Sequence, residues 1–434
     1  MYLSDSRVLR IFSFAIFYLA QGLPIGLITI AIPAWLAEQG ASAGNIAYFA
    51  AISSLPWGFK LFAGPVMDRF SFLPMGRRRP WVIGAQGGLL VASCIFGLTP
   101  DPVHNIVLLT WLAFLVNSFA AVQDVAVDGM AIDVLPEDER GRANAFMAFG
   151  QVAGYSGSAA VSAIALVNFG LPGASVVLAV GVSAIFIWSI VVRERQGEKL
   201  LPWTTGEATK RSVSMQASDW RSIILNLLRV ILLPASILLI MMALFWRIQS
   251  GFWITATPVI VVNQLGFAST DYSYWTAFAG FTAAVMGLLF GPLIDRSGSR
   301  NLLLLAFLGL GILHTSAGLL TDLWTLKWFP LFVLFLDQFI GQIIFICFIA
   351  LHKNVCWERI AATQFAIYMA WSNLARSIGA GIYGEVQPHL AMGQEFLIMG
   401  ISCLTAAAFL SVVNFERHRE RIEELRARGD ESAA

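Results

Sequence analysis

The residues with the clearest capacity for chemistry are three carboxylates in VQDVAVDGMAID, residues 122–133, which follows the apolar run IVLLTWLAFLVNSFAA. Asp124 and Asp128 are four residues apart, so in a helix they differ by about 40° and share one face. Two carboxylates in a low-dielectric site do not both ionise easily, because each negative charge disfavours the other. The pattern therefore predicts a site that binds and releases a proton. Asp133 lies nearly opposite, and we interpret it as a helix-end residue or a partner for loop arginines.

A lysine at similar depth offers an alternative role for these carboxylates. Lys60 lies in a neighbouring apolar segment, PWGFKLFAGPVMDR. An ionisable group inside a membrane needs a partner or a cavity, so a structural ion pair with Lys60 is the alternative to proton coupling. For Asp128 the two interpretations are equally supported, whereas for Asp124, nearer the middle of its segment, coupling is favoured.

Two arginines, Arg247 in FWRIQSGFW and Arg376 in WSNLARSIGAG, also interrupt apolar segments near their middles. An arginine does not lose its charge by deprotonation, so each must pair with an acid such as Asp337 or Glu385, or bind an anionic solute. Nearby amides and aromatics are candidates for binding a polar solute, with helix packing as the alternative for any single aromatic. The predicted solute-binding set is Gln21, Asn117, Gln123, Gln151, Trp246, Arg247, Gln249, Trp253, Tyr368, Trp371, Asn373 and Arg376.

The elements that position these residues are membrane helices. Of 434 residues, 57% are hydrophobic and only 13% are charged, about half the charged fraction of a soluble protein. The apolar residues come in blocks of about 20, long enough to cross a hydrocarbon core of roughly 30 Å. We count about twelve spans in the sequence. The net charge of +1 indicates no nucleic-acid partner, and the cysteines and histidines show no metal-ligand spacing, so we expect neither a metal nor a cofactor.

The chain repeats itself at half its length. GPVMDR at 64–69 recurs as GPLIDR at 291–296, and ERGRANAF at 139–146 recurs as ERIAATQF at 358–365. Because each pair falls on the same membrane side, the pattern predicts two parallel bundles around a central cavity, the architecture of a transporter. The predicted divisions are a six-helix bundle at 1–192, a linker with an interfacial helix at 193–228, a second six-helix bundle at 229–415 and a tail at 416–434.

The basic residues predict an orientation in the membrane. Those outside the spans fall in alternate loops, the linker and the tail, whereas the opposite loops hold only Lys327. The positive-inside rule therefore predicts that both termini are cytoplasmic. The N-terminal residues lead directly into a full-length span, so no cleaved signal peptide is predicted.

The loop after the second span, GPVMDRFSFLPMGRRRPW, places a Gly-x-x-x-Asp-Arg sequence before Gly-Arg-Arg. It resembles the loop signature of the major facilitator superfamily. Its longer form, with FSFLPM between the two parts, is similar to the AmpG-type muropeptide permeases and their acetyl-CoA and siderophore-uptake relatives, as are FYLAQGLPIGL and QDVAVDGMAIDVLPEDERGRAN. The resemblance implies a bacterial inner-membrane carrier whose loops latch one conformation of the two halves. The predicted latch residues are Gly64, Asp68, Arg69, Arg77, Arg78, Asp295 and Arg296.

The sequence therefore predicts an all-α integral membrane protein of the major facilitator fold. We expect it to carry a polar or anionic solute, muropeptide-like or siderophore-like, by proton symport, and to act as a monomer in the lipid bilayer. The alternatives are an acetyl-CoA or drug carrier and a membrane sensor that binds solute without moving it. A membrane-embedded enzyme is disfavoured, because the histidines are dispersed and the carboxylates occupy one helix near a lysine.

Overall fold

A computed structural model describes residues 1–214, 227–356 and 361–431 of the chain, and its first half contains six helical spans. Spans 5 and 6 form one run of helix that breaks at Gly170, where a φ of 64° favours glycine. Span 2 is a series of short helices, Ala43–Ser54, Pro56–Phe59, Lys60–Phe62 and Ala63–Arg69. The other bounds are Arg7–Glu38 for span 1, Arg79–Phe96 for span 3, Ile106–Val134 for span 4 and Glu137–Val191 for spans 5 and 6.

The second half repeats this pattern with six more spans and a terminal helix, Phe415–Glu431. By length and composition, seven helical stretches of the described residues are apolar enough to cross a membrane, and one of them, Phe146–Val191, covers spans 5 and 6. The predicted all-α architecture of two six-helix bundles is confirmed. Most of the segment predicted to form the interfacial helix of the linker lies outside the described residues, and residues 227–231, which follow it, are helical. The bounds are Pro234–Gln264, Ser269–Ser297, Ser299–Leu319, Trp328–Val355, Ala361–Val386 and Met392–Ser411 for spans 7 to 12.

Spans 1 and 7 are interrupted at corresponding points. Each contains a π-helical turn, Gly26–Ala31 in span 1 and Val259–Gln264 in span 7. Prolines adjoin both turns, at Pro24 and Pro258. Because a proline inside a helix removes a backbone hydrogen bond and clashes with the preceding turn, the two spans are able to bend there.

The apolar core shows where the two halves are joined. Away from the termini, one cluster contains buried residues of all twelve spans, among them Leu109 and Val259. On the side that carries the termini, each half has its own cluster, around Phe14 in the first half and Phe307 in the second. The halves therefore share a core away from the termini and have separate cores towards them.

Polar and backbone contacts also close the side away from the termini. The hydroxyl of Ser269, at the start of span 8, donates a hydrogen bond of 2.5 Å to the carboxylate of Glu38, at the end of span 1. Span 11 approaches span 2 so closely that a Cβ added to Gly384 would stand 2.7 Å from the Cβ of Ala47. These contacts agree with a cavity that opens towards the termini.

We expect Gly154→Ala to destabilise the first half, because spans 1 and 5 meet through glycines. A Cβ on Gly154 would stand 2.4 Å from the backbone carbonyl oxygen of Leu19, and such overpacking costs about 1–3 kcal/mol. The measurement is the thermal unfolding midpoint in detergent. The matched control is Gly157→Ala on the same helix, where a new Cβ meets no heavy atom of the described residues within 4 Å. Equal midpoints for the two variants would contradict this packing.

Candidate functional site

The carboxylates of span 4 lie against the lysine of span 2. Lys60 Nζ is 2.8 Å from Asp124 Oδ2, and the two side chains are 19% and 7% exposed. The lysine begins the 3₁₀ turn that interrupts span 2, and its ammonium lies 5.9 Å from the ring centre of Trp57. Of the two carboxylates for which an ion pair with Lys60 was the alternative interpretation, the structure therefore places the lysine at Asp124, one helical turn nearer the middle of span 4.

Asp128 has a different partner, which the sequence did not reveal. It accepts a hydrogen bond from the hydroxyl of Tyr18 in span 1, and both side chains are partly exposed. Tyr18 was missed because a single tyrosine in an apolar run is typical of packing. Its spacing of three residues from Gln21 was the one signal that it shares a helix face with a polar candidate.

Asp133 belongs to the loops on the side of the termini. Arg77 Nη1 lies 3.1 Å from its carboxylate and Arg78 Nε lies 3.8 Å from it. Arg195, just after span 6, donates a hydrogen bond of 2.8 Å to its backbone carbonyl. The interpretation of Asp133 as a partner for loop arginines is confirmed.

A buried glutamate organises the loop between spans 2 and 3. Glu194 accepts three backbone N–H bonds, from Arg77 at 3.1 Å and from Arg78 and Arg79 at 2.7 Å each. Gly76, with a φ of 101°, lets the chain turn around the carboxylate. The loop is thereby fixed to the end of span 6.

The predicted latch is described only in part. Arg77 and Arg78 bind acids of the first half, and Gly64 lies beside Val125 of span 4, 3.8 Å from where its Cβ would be. A latch contact between the two repeated loops stays a prediction. The structure does not describe the side chains of four predicted latch residues: Asp68, Arg69, Asp295 and Arg296.

The same loop region should have a pH-dependent stability. Burial and the neighbouring Glu194 raise the pKa of Glu198 to about 7. A carboxyl whose pKa is higher in the folded state stabilises the fold at low pH, and this contribution is lost as the pH rises through about 7. We expect the wild-type unfolding midpoint to fall between about pH 5 and about pH 8, and Glu198→Gln to flatten that fall. The control is Glu207→Gln at an exposed linker carboxyl, and equal slopes for the two variants would contradict the prediction.

Arg247 and Arg376 meet between spans 7 and 11, near the middle of both. The Arg247 guanidinium donates to the carbonyl of Ser372 and to Oδ1 of Asn373, both at 3.2 Å. The charge of Arg376 is close enough to act on Arg247, and its buried Nε has no hydrogen-bond partner. Within the described residues, neither arginine forms a salt bridge. Two guanidiniums without an acid create a positive field in a low-dielectric site, which favours an anion.

The acids predicted as their partners lie elsewhere. Asp337 Oδ1 contacts His314 Nε2 at 3.0 Å, between spans 9 and 10. Glu385 is exposed near the end of span 11. Both pairings are corrected, because position along a span does not reveal which neighbouring helix a side chain faces.

Two predicted solute-binding amides instead hold the first half together. Gln123 is fully buried and donates to the carbonyl of Phe17, and Asn117, 2% exposed, donates to the carbonyl of Ser53. Their positions between spans leave them little surface for a solute. The structure therefore assigns them to helix packing, which the sequence could not distinguish from a cavity role.

Three aromatic candidates also take part in helix packing. Tyr368 is 1% exposed, and its hydroxyl lies between Ser236 and Gln364, at 3.0 and 3.1 Å. Trp246, 5% exposed, packs against aromatic rings of spans 9 and 10. The indole N–H of Trp371 is bonded to a span 7 carbonyl at 3.2 Å. The alternative interpretation, helix packing, describes all three.

The remaining predicted solute-binding residues differ in how exposed they are. Gln151 donates a hydrogen bond of 3.0 Å to Gln21, and it is partly exposed, whereas Gln21 is fully buried. Gln249 and Trp253 are buried in span 7. The predicted binding residues that keep exposed polar surface are Gln151, Arg247, Asn373 and Arg376.

A short chain of contacts connects the lysine and arginine sites across the two halves. The Asn373 amide donates a hydrogen bond of 3.2 Å to the carbonyl of Trp57 in span 2, and its oxygen accepts one from Arg247. The Trp57 ring in turn lies beneath the Lys60 ammonium. These contacts therefore link span 2 near Lys60 to span 11 near Arg376.

The fold and these sites are those of a membrane transporter built from two helical bundles. The family model for the Major Facilitator Superfamily matches residues 12–380, and the chain belongs to that superfamily. It is 24% identical over 388 residues to the anhydromuropeptide permease of Escherichia coli (strain K12), covering 86% of this chain and 74% of that protein. It is 22% identical over 421 residues to the putative transporter AmpG 4 of Rickettsia conorii, covering 93% and 96%.

Solved structures agree on the fold. The chain matches the D-xylose–proton symporter with a TM-score of 0.70 at 14% identity, covering 94% of this chain and 97% of that one. The sequence matches also confirm the predicted resemblance to the AmpG-type branch.

Proposed function

We propose that the chain takes up an anionic, amide-bearing solute of the muropeptide class together with protons, by alternating access. The observation that carries the proposal is the pair of guanidiniums, Arg247 and Arg376, which no described carboxylate neutralises. The pair is connected through Trp57 and Asn373 to the ionisable site at Lys60. The arginine site attracts the solute, and the site at Lys60 is able to gain or lose a proton.

The chemistry of a muropeptide fits the arginine site. Its peptide carries carboxylates, which arginine binds through two parallel N–H bonds. The amides of Asn373 and Gln151 are suited to its peptide and N-acetyl groups. The match to a permease named for anhydromuropeptides supports this class of solute.

The ion pair of Asp124 and Lys60 is suited to proton coupling. Protonation of Asp124 would remove its charge and break the 2.8 Å ion pair with Lys60. The freed lysine would shift against Trp57, whose carbonyl is bonded to Asn373. Loading of the proton and of the solute would thus alter the same contact between spans 2 and 11, as symport requires.

The orientation follows from the charge of the loops. We propose that both termini face the cytoplasm of a bacterium and that the chain lies in the inner membrane, because the basic loops lie on the side of the termini. The halves share a core only away from the termini. The structure would then correspond to the state that releases solute into the cytoplasm.

A second candidate solute is an acyl-CoA. Its phosphates would also form paired bonds with the two guanidiniums, so the arginine site alone does not distinguish phosphate from carboxylate. Siderophores form a third class to be compared, on the basis of the resemblance.

A thermal-shift screen of the purified protein tests the proposal. The probes are anhydromuropeptides, ferric siderophores and acyl-CoA, each at two pH values. A ligand that binds the native state raises the unfolding midpoint, so we expect a shift with anhydromuropeptides that is larger at the lower pH. A shift with acyl-CoA alone would transfer the assignment to the second candidate, and no shift with any probe would contradict an anion site.

A further inference from the structure

A second buried titratable pair lies in the second half, apart from the lysine and arginine sites. His314 of span 9 is fully buried and contacts Asp337 of span 10 through Nε2, at 3.0 Å. Its Nδ1 is buried and has no hydrogen-bond partner in the described part of the chain. The indole of Trp253, in span 7, stacks on the imidazole with ring centres 5.2 Å apart and planes 23° apart.

Among the described residues, no lysine or arginine acts on the carboxylate of the pair. His314 is the one titratable base that acts on Asp337 among the described residues. Span 12 also presents a ring, Phe396, 6.2 Å from the imidazole, and the adjacent Glu395 is bonded to Tyr383 instead. The titratable groups facing Asp337 from the other elements are Tyr272 of span 8, itself bonded to Thr257 of span 7, and Cys403 of span 12.

The charge balance of the pair favours proton binding. With a neutral imidazole, Nε2–H donates to the carboxylate and the pair has a net charge of −1 in a buried site. An uncompensated buried charge costs several kcal/mol. A proton added to the Nδ1 lone pair leaves the Nε2–H bond intact and produces an imidazolium–carboxylate pair of net charge zero.

We propose that His314 and Asp337 form a second proton-binding site, in the second half, and that the charge of the imidazole controls the position of Trp253. An imidazolium attracts a stacked indole more strongly than a neutral ring does, because of the negative face of the aromatic system. Trp253 is five residues before Pro258 and the π-helical turn where span 7 bends. Protonation would therefore hold one side of the bend to span 9.

This site differs from the proposed coupling site at Asp124. The two lie in different halves, and His314 and Asp337 form their ion contact with each other and not with Lys60. Asp337 is 7% exposed, so its access to protons depends on movement of the surrounding spans. The second half thus has its own means of sensing protons.

A pH titration of tryptophan fluorescence in proteoliposomes tests the proposal without any solute. A protonated imidazole quenches an indole stacked on it, so the full chain should show a quenching transition on acidification. We expect Trp253→Phe and His314→Gln each to abolish that transition. The matched control is His352→Gln, a buried histidine whose Nδ1 is bonded to the carbonyl of Phe348 and which has no described carboxylate partner, and it should retain the transition.

A second measurement covers the case in which His314→Gln does not fold. The imidazole ¹⁵N shifts of the wild-type protein report protonation directly, and Asp337→Asn should lower the pH at which one histidine titrates. A quenching transition that survives Trp253→Phe would overturn the proposal, as would a His314 ring that stays neutral down to about pH 4, well below the usual range of histidine. Because neither experiment contains a solute, their failure is distinct from failure of the proposed uptake.

Discussion

Arg376→Gln should weaken binding of an anhydromuropeptide by about ten- to a hundredfold, because hydrogen bonds to charged groups contribute about 1.5–3 kcal/mol. The Nε of Arg376 is buried without a hydrogen-bond partner, and a solute carboxylate would supply one. The effect should appear in the dissociation constant, measured calorimetrically with purified protein.

Two control variants distinguish the loss of charge at this site from the loss of an arginine elsewhere in the chain. Arg376→Lys keeps the charge without the paired N–H groups and should restore part of the affinity. Arg300→Gln removes an arginine that is bonded to the carbonyl of Ser411, where the ends of spans 9 and 12 meet, and should leave the dissociation constant unchanged. Full affinity in the double variant Arg247→Gln/Arg376→Gln would show that both guanidiniums serve only the packing of spans 7 and 11.

Asp124→Asn should abolish accumulation of solute driven by a pH gradient, while exchange of solute at equal pH continues. The asparagine cannot exchange a proton, so the 2.8 Å contact with Lys60 no longer changes with protonation. The measurement is uptake of labelled solute into proteoliposomes with and without an inward proton gradient. We expect gradient-driven accumulation to fall by at least about tenfold, because a gradient of one pH unit can drive a tenfold accumulation through one coupled proton.

Removal of one partner of a buried ion pair also destabilises a fold, so a charge-balanced variant is needed. Asp124→Asn/Lys60→Gln leaves no unpaired lysine and should fold while remaining uncoupled. Asp101→Asn, at an exposed carboxylate of a loop away from the termini, should retain coupling. Gradient-driven accumulation in both Asp124 variants would exclude this carboxylate from the coupling step.

The sequence predicted the architecture because membrane physics constrains it strongly. The thickness of the bilayer determines the length of a span, and the repeat of GPVMDR as GPLIDR shows two parallel halves. The partner of Asp133 could also be predicted, since arginines occur in the loops beside it. The partners of side chains within the membrane were harder to predict.

The Lys60 pairing shows why. The lysine and the two carboxylates occupy similar depths, and the choice between Asp124 and Asp128 depends on the 3₁₀ turn Lys60–Phe62, which hydropathy does not reveal. The contact of Asp337 with His314 depends in the same way on which faces of spans 9 and 10 meet. Periodicity gives the position of a polar residue along a helix, whereas its partner is determined by the packing of neighbouring helices.

The measurement that tests the central claim most directly is counterflow of labelled anhydromuropeptide. Proteoliposomes loaded with unlabelled solute should transiently accumulate the label, because an alternating-access carrier exchanges solute across the membrane, and an inward proton gradient should increase net uptake. Binding of the solute without exchange of label would contradict transport and would favour a sensor.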